Sequence, residues 1–213
     1  MTAGPPAPHG RTAALLHPGA PGADVVARAL ADAGLRLTEP GGPAPPDVCC
    51  AVLTGETVLG HRTGPRALDR RAAAETADAM AGRGSGRMLL VTDFGPEVHG
   101  ATDPGHAAAR AADLAFWRHL AARAAPRGVL LNQIRVGAAP FLASRGGRRR
   151  QQRLLPHLAL HRGARPADLA AAVRQAVAAG TSYTVGDTLR VDGGLGLGHI
   201  APPGAGRPAP GDG

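Results

Sequence analysis

Two stretches of this chain, Val48–Leu53 (VCCAVL) and residues 88–91 (MLLV), carry no polar side chain. A strand with one face in water alternates apolar and polar residues, so an unbroken apolar strand must be covered on both faces. Shorter apolar runs fall at Thr12–Leu16, 129–134 and Thr188–Val191, with a brief extended piece at 35–37. Between them lie segments with helical spacing. Residues 23–33 place Val25, Val26, Ala29, Leu30 and Ala33 on one face and stop at Gly34. Residues 66–81 read as an Ala/Arg/Glu helix, and 106–125 carry a stripe through Ala109, Ala112, Leu114, Ala115, Phe116, Leu120 and Ala124. Residues 166–179 enter through a Pro-x-Asp start. Apolar strands alternating with helices predict an α/β fold, a doubly wound parallel sheet. With aromatics at 2%, its core must be packed from Ala, Leu and Val. Pro/Gly-rich tails at 1–10 and 201–213 are expected to flank a single domain at 11–200.

All 24 basic residues are Arg, and the formal charge is +8. The absence of Lys excludes a phosphate-loop lysine, a Schiff-base lysine and a Tyr/Lys pair. The arginines are scattered except at Arg145, Arg148, Arg149, Arg150 and Arg153, which argues against a nucleic-acid face. No run is long enough to span a membrane, and the first ten residues lack the charged start and apolar run of a signal peptide, so a cytoplasmic location is expected. The adjacent Cys49 and Cys50 make no disulfide framework and should point to opposite faces of a strand as buried thiols. His157 and His161 have metal-ligand spacing but no third ligand, so no metal is expected.

Three segments in the second half carry a family resemblance. They are LAARAAPRGVLLNQIRVG at 120–137, LHRGARPADLA at 160–170 and SYTVGDTLRVDGG at 182–194. Together they resemble the short-chain dehydrogenase/reductase family, in its 3-oxoacyl-carrier-protein reductase form. The resemblance implies a Rossmann-like sheet, shortened here by about one strand–helix unit, since only about ten residues separate Leu37 from Val48.

The same resemblance locates the family's catalytic set. Its Tyr position falls on His106, its Lys on Arg110 and its Ser on Asp93, or on Thr92 if the loop slips by one. The sole Asn, Asn132, lies beyond the long helix and is not the relay Asn, and the sole Tyr, Tyr183, belongs to the C-terminal segment. The family's glycine turn, TGxxxGxG, corresponds to LHPGAPGA, where the three glycine positions become His17, Pro21 and Ala23. Gly19 and Gly22 are present but out of step, and the family's NNAG has no clear counterpart around 52–56. No cofactor is therefore expected, with NAD(P)H left as a possibility if the degenerate turn still binds it.

The leading expectation is a non-catalytic subunit that joins an active reductase homologue through the 106–125 helix and the C-terminal strand. The alternative is a repurposed non-redox enzyme (lyase, dehydratase or isomerase) using Asp93, His106 and Arg110. The third is a divergent NAD(P)H-dependent ketoreductase. The GGRRRQQR run at 146–153 falls where the family has its substrate-entry segment. It suggests an Arg-rich contact for acyl-carrier protein or a coenzyme A thioester at Arg148–Arg153.

Overall fold

The computed structural model describes residues 11–42, 44–54, 67–93, 104–142, 155–178 and 183–197. The tails, the 146–153 arginine run and residues 94–103 lie outside these residues, as do the side chains of His106 and His157.

Among the described residues six strands form one parallel sheet: β1 (Thr12–Leu16), β2 (Arg36–Thr38), β3 (Val48–Leu53), β4 (Gly86–Asp93), β5 (Val129–Val136) and β6 (Thr188–Val191). Their order is β2-β1-β3-β4-β5-β6, and every neighbouring pair is parallel. Progression reverses between β1 and β3, so the carboxyl ends of these two strands flank the crevice where a doubly wound sheet binds its ligands. No helix or strand lies between Thr38 and Val48 among the described residues.

Helices cover both faces. Helices α1 (Ala23–Asp32) and α4 (Pro166–Val177) pack on one, α2 (Arg70–Arg83) and α3 (Pro104–Ala124) on the other. The unbroken apolar runs follow from this arrangement. Val48, Cys50 and Val52 point into the α1/α4 layer, while Cys49, Ala51 and Leu53 point into the α2/α3 layer. Both thiols are buried and free, and burial pushes Cys49 up to about 12.

Helix α2 begins at Arg70 rather than at 66, because Asp69 caps it by accepting from Ala72 N at 2.9 Å. The Pro-x-Asp start of α4 behaves as its pattern predicts. Pro166 opens the helix, and Asp168 accepts from Arg165 N at 2.7 Å and from Arg162 at 2.7 and 3.0 Å. The Arg162 guanidinium holds the Asp168 carboxyl below the usual Asp range. Trp117 is a core residue, 1% exposed, and its Nε1 donates to Asn132 O at 3.1 Å. Asn132 itself is structural, donating to Thr184 O and accepting from Asp187 N on the turn into β6.

Candidate active site at the carboxyl edge of the sheet

Parallel strands end together, so residues at the carboxyl ends of β3, β4 and β5 share one edge. Thr92 and Asp93 close β4; on β5 Arg135 pairs with Thr92, and Gln133 pairs with Leu90. Helix α3 crosses behind them and contributes Arg110, Asp113 and Leu114. These side chains enclose a cavity of about 20 Å³, room for a single water. Asp93 and Arg110, assigned from sequence to the family's Ser and Lys positions, are thereby brought to one small polar space. His106 lies one turn before Arg110 on α3; its backbone is helical and its side chain is outside the described residues.

The cavity walls are held by hydrogen bonds of known direction. Gln133 is 4% exposed; its Nε2 donates to Thr92 Oγ1 at 3.0 Å and its Oε1 accepts from Thr188 Oγ1 at 3.0 Å. Asp113, 1% exposed, accepts from Leu68 N at 3.0 Å and from Arg70 Nε and Nη2 at 3.1 and 2.9 Å. Arg110 differs from these groups. Its Nη1 is buried and has no hydrogen-bond partner among the described residues. A buried N–H of a cation without an acceptor costs more than a neutral one, and such a group is satisfied by a ligand that brings an acceptor.

Sequence reasoning treated His17 only as a lost glycine; the structure makes it part of this neighbourhood. It follows β1 with φ 63, in the left-handed region, and its Nε2 accepts from Asp69 N at 3.3 Å. Burial pushes its pKa below the ordinary 6.5, and Arg110 pushes in the same direction; Asp69 and Asp113 pull upward. The available signal was a His in a turn that elsewhere demands glycine, a residue type tolerated at positive φ more often than most.

The glycine turn can be tested against a dinucleotide. Gly22 has φ 81 and caps α1. A methyl at this position would overlap Leu142 Cδ2, so Leu142 packs directly on the Gly22 backbone, with Phe141 beside it. Leu142 is 1% exposed and shares a core with Ala20, Ala23 and Val26. Pro21 has no N–H to offer and its carbonyl accepts from Thr54 Oγ1. Gly19 is open, with nothing near its missing side chain. A pyrophosphate laid on a helix N-terminus needs close, unobstructed backbone donors. Side chains at 17, 21 and 23 and the Leu142 seat on Gly22 fit that requirement poorly. Among the described residues no group of His, Cys, Asp and Glu could hold a metal ion, and no described helix is long and apolar enough to cross a membrane.

A doubly wound parallel sheet with a polar cluster at the carboxyl ends of its central strands defines the Rossmann-like class of α/β proteins. Residues 70–196, more than half of the chain, match the family model described as enoyl-(acyl carrier protein) reductase, and the chain belongs to the short-chain dehydrogenase/reductase family. No curated protein matches it by sequence. Solved structures match it in fold. A candidate NAD(P)-dependent gluconate 5-dehydrogenase from Beutenbergia cavernae, with NADP bound at low occupancy, is 21% identical with a TM-score of 0.66, over 89% of this chain and 98% of that one. A short-chain oxidoreductase from Burkholderia thailandensis is 20% identical with a TM-score of 0.69, over 89% and 94%. A short-chain dehydrogenase from Leptospira borgpetersenii, with bound NAD+, is 16% identical with a TM-score of 0.67, over 88% and 93%.

Proposed function

We propose that this protein is an enzyme on the short-chain dehydrogenase scaffold that moves protons rather than hydride, acting on a small anionic carbonyl or hydroxy compound. Asp93 and His106 are the acid–base pair and Arg110 the anchor for the substrate's anionic oxygen. The observation that carries this reading is the buried Arg110 Nη1, without a partner among the described residues, in a water-sized cavity that Asp93 also lines, where one anionic oxygen of a substrate would take the place of a water. A guanidinium there stabilises negative charge that develops on an oxygen, while the Asp93 carboxylate takes the proton from the adjacent carbon. Lyase, dehydratase and isomerase chemistry all need this pairing. The substituted glycine turn, covered at Gly22 by Leu142, supports a reaction without a dinucleotide, although related structures carry NADP or NAD+. The short link from Thr38 to Val48 fits the loss of a strand–helix unit on the adenosine side.

The test is solvent deuterium exchange. The protein is incubated in deuterated water with a panel of 3-oxo and 3-hydroxy acids and thioesters, without nucleotide, and exchange at the carbon next to the carbonyl is read by mass spectrometry. Wild type should incorporate deuterium, and Asp93→Asn and Arg110→Met should each lose at least about a hundredfold in rate. Turnover of the same panel only with NADPH, without exchange in its absence, would defeat the reading.

A second reading, a non-catalytic subunit that pairs with an active homologue, is favoured by one observation. Tyr183, Val185 and Leu197 stand exposed around β6, where an apolar partner surface could cover them. Co-expression with such a homologue followed by gel filtration distinguishes the two, because only this reading requires a stable mixed complex that changes the partner's activity.

A further inference from the structure

A second and larger cavity opens beside His17. It has a volume of about 470 Å³, within the range of small-molecule sites, and lies between the end of β1, the link from β2 to β3 and the first turns of α2. We infer that it binds a small hydroxyl- or amine-bearing molecule, anchored by His17 and the acceptor face of Asp69, Glu75 and Thr76. The inference does not depend on the reaction at Arg110.

Four observations support it. His17 keeps a side chain at φ 63, where glycine would be unstrained, and residues held in this way concentrate at binding sites. Its Nε2 accepts from Asp69 N, which fixes a neutral ring with the proton on Nδ1, a donor for a ligand oxygen. The opposite wall is rich in acceptors. Asp69 uses one oxygen for Ala72 N and Glu75 one for Arg71 Nε, leaving the second oxygen of each carboxylate available among the described residues. The Thr76 hydroxyl donates to Ala72 O, so its lone pairs face outward as acceptors.

The remaining wall is preorganised rather than adaptable. The link carries Pro40, Pro45 and Pro46, and Arg83 pins it by donating to the carbonyls of Pro45 at 2.6 Å and Pro46 at 2.9 Å. No arginine lines the cavity among the described residues, and two carboxylates do. A phosphate is therefore repelled, and an ammonium or a set of hydroxyls is matched. This preference is opposite in sign to that of the Arg110 cleft, so the two cavities select different ends of a molecule or different molecules.

Nuclear magnetic resonance of the histidine Cε1–H signals tests the site in the full-length protein. The His17 signal is assigned by its loss in His17→Asn. The probes are D-glucosamine, ethanolamine and D-glucose, with ADP-ribose and inorganic phosphate as competitors. At least one of the first three should shift the His17 signal saturably, glucosamine most tightly, and phosphate should not. Glu75→Gln, at an exposed position that leaves the fold intact, should weaken glucosamine binding at least tenfold. The inference is overturned if none of the three moves His17, if Glu75→Gln binds as wild type does, or if ADP-ribose occupies the cavity in preference to all three.

Discussion

Arg110 and Gly22 set the chemistry of the two ligand-facing edges at the scale of single residues. Arg110, aligned by motif spacing with the family's lysine, holds one buried N–H without a partner among the described residues. At Gly22 the backbone is left-handed and in contact with Leu142, which seals the mouth of α1 with an apolar side chain. Gly22→Ala combines the left-handed cost with the overlap on Leu142 and should destabilise by about 3 kcal/mol in urea unfolding. Leu142→Ala itself loses a buried leucine, so the overlap is read by introducing Gly22→Ala into that background, where it should cost only the backbone part. Equal stabilities for Gly22→Ala and wild type would show that Leu142 does not sit on this residue. His17 adds a dependence on pH. Its folded pKa lies below 6.5, so the folded state binds fewer protons than the unfolded chain between those two values. Stability should therefore fall as pH drops below 6.5 and level off beneath the folded value. Thermal melts between pH 7 and pH 5 should show a steeper loss for wild type than for His17→Asn.

At the scale of elements, α3 holds the site together. Asp113 lies one turn beyond Arg110 and ties α3 to the entry of α2 through the Leu68 amide and the Arg70 guanidinium. In Asp113→Ala, Arg70 can turn to water because it is partly exposed, but the Leu68 N–H loses its buried acceptor. The cost should be about 2 kcal/mol in a denaturant midpoint series, with the neighbouring cavity loosened. A change within error would show that this contact is not structural. Element order and type were legible in the sequence because Val48–Leu53 and residues 88–91 admit only a strand buried on both faces. The start of α2 was not, since Asp69 reads equally well as a helical residue or as a cap, and only its bond to Ala72 N decides. The assignment of Asp93 and Arg110 to one site came from motif spacing, and the fold brings both to the same cavity. His17 escaped because a substituted glycine looks like loss. Its contact with Asp69 spans 52 residues of chain and has no local signature.

At the scale of the whole molecule, the sheet keeps the doubly wound architecture of its family, and the proposed function rests on its two ligand-facing edges. The α1 mouth carries Leu142, Pro21 and His17 where a dinucleotide needs bare backbone, and Asp93 and Arg110 line one cavity at the carboxyl edge of β4 and β5. The chain carries no lysine, so a Tyr/Lys pair cannot form within it. The claim that unites these features is that the scaffold works without a nicotinamide cofactor. Isothermal titration calorimetry of the full-length protein with NADPH and NADH tests it most directly. No saturable heat at ligand concentrations up to the millimolar range is predicted for either. Stoichiometric binding in the micromolar range would contradict the account and restore the reductase reading.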